Sequence, residues 1–67
     1  MTVGETIKLE RVNAGLTQVK LAEKCGMKDS AIRKYESGRI KPKMEMRSRI
    51  ANAIGIDLRK LTLDVED

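Results

Sequence analysis

The 67-residue chain contains no histidine, no tryptophan and no phenylalanine, and it has a single cysteine, Cys25. Without histidine, it lacks the usual zinc ligand sets and the Ser-His and Cys-His pairs that activate a nucleophile. A lone cysteine cannot form a disulfide within the chain, which favours a reducing cytoplasm. We therefore expect a cytoplasmic protein that is not an enzyme and that uses no metal and no cofactor.

Long apolar runs are also missing. No segment approaches the roughly 20 apolar residues of a membrane span, and the first residues already carry Glu5 and Lys8, unlike a secretory signal. The length corresponds to one small domain over residues 1–67, with little room for a small-molecule pocket. Such short chains often associate with themselves, so self-association is a reasonable expectation.

Positive charge is concentrated in the middle of the chain. The net charge is +4, but residues 28–49 carry eight basic and three acidic side chains, whereas the rest of the chain is slightly acidic and ends in an acidic tail at 64–67. A basic segment of this kind indicates a face for nucleic acid. An ordinary solvated surface on a basic protein explains the charge equally well, and composition does not separate the two.

Helical signals cover most of the chain, and the alternation typical of strands is absent. Thr2-x-x-Glu5 is a capping box that begins a first helix, and Gly15 follows its end. Thr17 is suited to cap a second helix. The pattern predicts an all-α fold of five short helices, at about 2–14, 17–24, 29–36, 44–54 and 57–61.

The segment 18–37, QVKLAEKCGMKDSAIRKYES, has the spacing of a helix-turn-helix. Two helices that cross steeply need a small side chain where their backbones meet, and Ala22 supplies it. The turn between them needs a positive φ, which Gly26 adopts without steric cost. Helical spacing then directs Ile32 and Tyr35 into the core. We expect this motif at about 17–36, with 29–36 as its second helix.

Several runs in register resemble the phage repressor and Cro type of helix-turn-helix protein, the group often called XRE-like. The resemblance extends over about 5–61. The matching runs are GLTQ at 15–18, LAEK at 21–24, Gly26, AI at 31–32, YESG at 35–38, KP at 41–42 and IANAIG at 50–55.

This resemblance implies a lambda-repressor-like fold whose third helix lies in the DNA major groove. It implies a sequence-specific regulator of transcription, of bacterial, phage or mobile-element origin, that binds double-stranded DNA. A homodimer on a two-fold operator is expected, with recognition helices roughly 34 Å apart. Such a dimer would block polymerase and act as a repressor, although members of this family also activate.

The resemblance also implies site residues. An ion pair between Arg11 and Glu36 would be structural. Base edges would be contacted by Asp29, Ser30, Arg33 and Lys34. Phosphates would be contacted by Gln18, Lys28, Arg39, Lys41 and Lys43. An apolar dimer contact would involve Ile56, Leu58, Leu61 and Leu63.

A second hypothesis stays open: the same fold could act as an antitoxin-like or anti-repressor module that binds protein. Its candidate patch is formed by Met27, Met44 and Met46. The salt dependence of DNA binding separates this hypothesis from the first.

Two departures from the family pattern carry further expectations. Lys28 stands where a capping Ser or Thr is usual, so we expect Asp29 to cap the third helix or to act as a first-turn acid. Arg47 falls where an apolar residue is common, and we expect Met46 to take its place through a small rotation of the helix.

Overall fold

Four α-helices and one 3-10 helix follow one another in the computed structural model, which describes residues 1–62 and 64. They are α1 (Val3–Asn13), α2 (Gln18–Cys25), α3 (Asp29–Ser37), α4 (Met44–Ile54) and the 3-10 helix (Leu58–Leu61). The described residues contain no strand, so the predicted all-α class is confirmed. The fifth predicted helix is a single 3-10 turn rather than an α-helix.

The start of α1 has the hydrogen bonds that its sequence predicts. The Thr2 hydroxyl accepts from the Glu5 amide at 3.1 Å, and Glu5 Oε1 accepts from the Thr2 amide at 2.8 Å. Hydrogen bonding to the Thr2 backbone amide, with a smaller effect from the Thr2 side chain, lowers the pKa of the Glu5 carboxyl. Thr17 caps α2 in the same way, accepting from the Lys20 amide at 3.0 Å. Lys20 cannot return a bond as a glutamate would, so this second cap is one-sided.

The core is aliphatic because the chain has almost no aromatic residues. Each of the five helices contributes one fully buried side chain. These are Ile7, Leu21, Ile32, Ile50 and Leu61. Tyr35 is half-buried and packs against this cluster, as its spacing from Ile32 predicts. Cys25 is buried, and burial raises the pKa of its thiol, so it behaves as a small apolar residue rather than as a reactive thiolate.

Helices α1 and α3 come into backbone contact at Gly4. A Cβ added at Gly4 would lie 2.2 Å from the Tyr35 carbonyl oxygen and 3.0 Å from that of Glu36. Only a hydrogen atom fits in this space, so glycine is required here although its backbone is helical. This close approach sets how α1 sits against the C-terminal half of α3.

Arg47 is buried on the side of α4 that faces the core. This corrects the expectation that Met46 occupies this inward position in its place. The Arg47 side chain donates to the Pro42 carbonyl at 2.8 Å and to the Leu61 carbonyl at 2.9 Å. Its guanidinium also forms an ion pair with Asp64 at 2.5 Å. A buried charge is tolerated when it is paired and hydrogen-bonded in this way. The expected helix rotation was wrong because these oxygen atoms satisfy the guanidinium where it is.

The Arg47–Asp64 pair predicts a specific acid sensitivity. Hydrogen bonds from Arg47 hold the pKa of the Asp64 carboxyl below its ordinary value. Lys41, 3.6 Å away, lowers this pKa by a smaller amount. A carboxyl whose pKa is lower in the folded state than in the unfolded state stabilises the fold. This stability is fully present above the unfolded-state pKa of about 3.9, and it is lost as the pH falls through the folded-state pKa. Urea unfolding from pH 6 to pH 2 should show this loss.

Asp64→Asn is the matched control for that titration, because it cannot ionise. We expect the variant to be less stable than the parent at pH 6 and the difference to shrink below about pH 4. A constant difference across the whole range would contradict the assignment of this pair.

Candidate nucleic-acid interface

Helices α2 and α3 form a tight elbow around Gly26. Gly26 adopts a left-handed conformation with φ of 69°, and the Met27 amide donates to the Ala22 carbonyl at 3.0 Å across the turn. Ala22 is 3% exposed where the helices approach each other, and Ile32 is fully buried beneath them. The elbow therefore rests on the small side chains that the sequence predicts, and it turns the other side of α3 to solvent.

The first turn of α3 has no side-chain cap. Lys28 occupies the N-cap position without a capping hydrogen bond, and Asp29 is the first helical residue. Of the two roles expected for Asp29, the structure shows the first-turn acid. Its carboxylate also forms an ion pair with Arg33, one helical turn later, at 2.6 Å. Both side chains remain substantially exposed, so the pair lies on the surface of α3.

A shallow groove of about 440 Å³ runs along the exposed side of α3. Its lining combines three of the predicted base-contacting residues with one predicted phosphate contact and one further serine. These are Ser30, Arg33, Lys34, Arg39 and Ser37. Lys28, Lys41 and Lys43 are exposed on the segments that flank this helix. Ser37 was not predicted as a lining residue, because it lies just beyond the predicted end of the third helix at 36.

The cations without partners are concentrated around α3. Six of the 14 basic side chains form no ion pair with a described residue. They are Lys8, Lys24, Lys28, Lys34, Arg39 and Lys43. Four of the six lie within 28–43, on α3 or beside it. The positive charge of this face is therefore largely uncompensated within the described part of the chain.

A buried polar cluster connects α1, α2 and the end of α3. Arg11 Nε donates to Glu36 Oε2 at 2.6 Å, and the side chains of the pair are 10% and 4% exposed. Arg11 also donates to the Leu16 carbonyl at 2.8 Å. The side-chain amide of Gln18 donates from Nε2 to Glu36 Oε1 at 3.0 Å. The structure thus brings Arg11 and Glu36 together, and it uses Gln18 to brace α3.

The predicted dimer contact needs one correction. Leu61 is fully buried in the core of the single chain, so its side chain is not available to a second copy. Ile56 and Leu58 are half-buried and pack against that core. Leu63 lies outside the described residues. The family resemblance placed the dimer contact in this segment, but it did not separate the inner side of the segment from its outer side.

No helix in the described part of the chain is long and apolar enough to cross a bilayer. The same residues contain no cluster of cysteine and carboxylate side chains that could hold a metal ion.

A two-helix elbow whose second helix is exposed and is flanked by unpaired cations, carried on a small aliphatic core, defines a helix-turn-helix DNA-binding domain. A family model described as "Helix-turn-helix" matches residues 7–61, and the chain belongs to this XRE-type helix-turn-helix family. The expected family is therefore confirmed.

Curated relatives of the chain come from animals, fungi and a phage. Human endothelial differentiation-related factor 1 is 42% identical over 59 residues, which cover 88% of this chain and 40% of that protein. Multiprotein-bridging factor 1 of Debaryomyces hansenii is 37% identical over 59 residues, covering 88% and 39%. The immunity repressor protein of Bacillus phage phi105 is 40% identical over 58 residues, covering 87% and 40%. The chain thus spans about two fifths of the length of these relatives.

Proposed function

We propose that this domain regulates transcription by binding a specific sequence in double-stranded DNA, with α3 in the major groove. The unpaired cations around α3 carry this proposal, because two of them, Lys34 and Arg39, line a groove and would match the phosphate-rich surface of DNA. The phage relative, named as an immunity repressor, supports a repressor role. Occupation of an operator that overlaps a promoter would then exclude polymerase.

Base recognition is assigned to the exposed side of α3. Arg33 and Lys34 present donors of the kind that bind guanine O6 and N7, and Ser30 lines the same groove. The carboxylate of Asp29 holds the Arg33 guanidinium at 2.6 Å. We infer that Asp29 orients Arg33 toward a base, since a guanidinium fixed on one edge has fewer orientations to lose on binding. Asp29 then acts mainly through Arg33.

Phosphate contacts are assigned to both flanks of α3. Lys28 precedes the helix, and Arg39, Lys41 and Lys43 follow it in the segment that leads to α4. Gln18 has one amide hydrogen bonded to Glu36 and a second one left for a phosphate. Contacts on both sides of the recognition helix would fix its depth and register in the groove without reading sequence.

We also propose that the domain binds a two-fold operator as a dimer. One helix reads only about half a site, and two copies would place their α3 helices roughly one DNA turn, or 34 Å, apart. Ile56 and Leu58 remain the candidates for the contact between copies. Leu61 is excluded from this contact by its burial.

Selection of bound duplexes from a random pool tests this assignment. We expect a two-fold symmetric sequence and two protomers per duplex. Arg33→Glu and Lys34→Glu should change the selected bases, because each removes a base contact worth about 1–3 kcal/mol. Lys43→Glu should weaken binding to all duplexes about equally.

The control for these reversals is Arg59→Glu, because Arg59 lies on the 3-10 helix and, among the residues that the structure describes, pairs only with Asp57 at 2.9 Å. Selection of the same sequence by the parent, Arg33→Glu and Lys34→Glu would contradict base reading by α3. One protomer on an asymmetric site would contradict the dimer.

Protein binding is the second candidate function. A fungal relative is named multiprotein-bridging factor 1, and this name describes a protein that connects other proteins. Exposed apolar side chains on α1 and α2 offer a surface for it. They are Leu9, Val12 and Val19, with exposed fractions of 45%, 56% and 52%. Of the methionine patch expected from the sequence, Met44 is 43% exposed, whereas Met27 and Met46 are half-buried.

A further inference from the structure

A second depression, of about 290 Å³, adjoins the groove along α3. It is formed where α1, α2 and α3 meet, and its lining is Lys8, Gln18, Arg33, Glu36 and Ser37. Arg33 and Ser37 belong to both depressions, so the two form one continuous surface. Lys8 is the residue that α1 adds to this surface, and none of the matched family runs includes it.

The charges around this depression leave the Lys8 ammonium without a partner. Glu36 is 4% exposed and is already bound to Arg11, so its negative charge is compensated. Glu5 lies one turn before Lys8, but it does not line this depression, and its carboxylate is held in the capping box by the Thr2 amide. No ion pair joins Lys8 to any residue that the structure describes. The uncompensated charge facing outward from this depression is therefore positive.

We propose that Lys8 binds a backbone phosphate of the same duplex that α3 enters, which extends the DNA contact onto α1. This inference rests on the proposed function, because the phosphate belongs to the DNA that is held by Arg33 and its neighbours. Lys8 supplies the charge, and the second amide hydrogen of Gln18 supplies a directed donor beside it. Contact with phosphate alone adds affinity and register but no sequence preference.

The test is the salt dependence of duplex binding by Lys8→Gln, with Lys24→Gln as its matched control. Lys24 is the other exposed cation outside 28–43 without an ion pair among the described residues, and it lines neither depression. It lies six residues after Gln18, roughly 9 Å further along the axis of α2. Both variants remove one positive charge from a solvent-exposed helix position, so they differ in place and not in net charge.

We expect Lys8→Gln to weaken binding to specific and random duplexes alike, by roughly fivefold to tenfold at 0.1 M salt. The slope of log Kobs against log salt should become shallower by about 0.9, the change expected for one lost phosphate contact. Lys8→Arg should restore the slope, and Lys24→Gln should leave it unchanged. The selected sequence should be the same for all of them.

Equal behaviour of Lys8→Gln and Lys24→Gln, together with weakened binding by Arg33→Gln and Lys43→Gln, would overturn the role of Lys8 and leave the proposed function standing. A changed sequence preference for Lys8→Gln would also overturn it, since a phosphate contact reads no base. Failure of the parent domain to bind any duplex would overturn both the proposed function and this inference.

Discussion

Glu36→Ala should lower the free energy of unfolding by about 3–5 kcal/mol, the typical loss when one partner of a buried ion pair is removed. The Arg11 guanidinium is 10% exposed and would keep only its bond to the Leu16 carbonyl. Gln18 would lose its acceptor on α3 at the same time. The change therefore breaks contacts between three helices at a single carboxylate, and urea unfolding followed by circular dichroism measures it.

Glu23→Ala is the control for this prediction. Glu23 pairs with Lys20 on the surface of α2 at 3.6 Å, with both side chains more than half exposed. Removing an exposed pair of this kind costs about 0–1 kcal/mol. Equal losses for the two variants would mean that the buried pair contributes no more than a surface pair, which would contradict the prediction.

The double variant Arg11→Met, Glu36→Leu separates charge burial from packing. It removes both charges, so no unpaired charge remains in the core, although Gln18 and the Leu16 carbonyl still lose these hydrogen bonds. We expect it to be more stable than Glu36→Ala alone.

Gly4→Ala should destabilise the domain even though alanine favours helix formation. In an unobstructed helix, replacing glycine by alanine stabilises by roughly 0.5–1 kcal/mol. Here the added methyl group would lie 2.2 Å from the Tyr35 carbonyl oxygen, which belongs to backbone and cannot rotate away. Helix α1 would have to move off α3, at a cost of about 1–3 kcal/mol or more. Thermal and urea unfolding should both show the loss.

Asn13→Ala provides the matched comparison, because Asn13 is the exposed last residue of the same helix. This substitution should leave stability unchanged or slightly raised, as expected from helix propensity alone. A Gly4→Ala variant as stable as Asn13→Ala would contradict the close approach of the two helices.

Helix positions and the elbow could be predicted from the sequence because they depend on local signals. The Thr2-Glu5 capping box, the Thr17 cap and the glycine at position 26 each act within a few residues. The outward side of α3 follows from helical spacing once Ile32 is placed in the core. For that reason the grouping of Ser30, Arg33 and Lys34 along one groove required no tertiary information.

The remaining features depend on how helices dock, and the sequence has no local signal for them. Gly4 reads as an ordinary helical position until α3 is placed against it. Arg47 looks misplaced until Asp64 and the Leu61 carbonyl are brought beside it. Leu61 was assigned to a dimer contact, and only the packing of the 3-10 helix shows that it belongs to the core. Lys8 joins the α3 surface only through the packing of α1, which lies outside the elbow itself.

The salt dependence of binding to a random duplex tests the central claim most directly, because it needs no knowledge of the operator. A domain that uses α3 and its flanking cations to hold DNA should show log Kobs falling linearly with log salt, with a slope of about −3 to −5 for each protomer. A measurable affinity with a slope near zero, or no binding at low salt, would contradict DNA recognition through this face. Either of these two results would favour the protein-binding function instead.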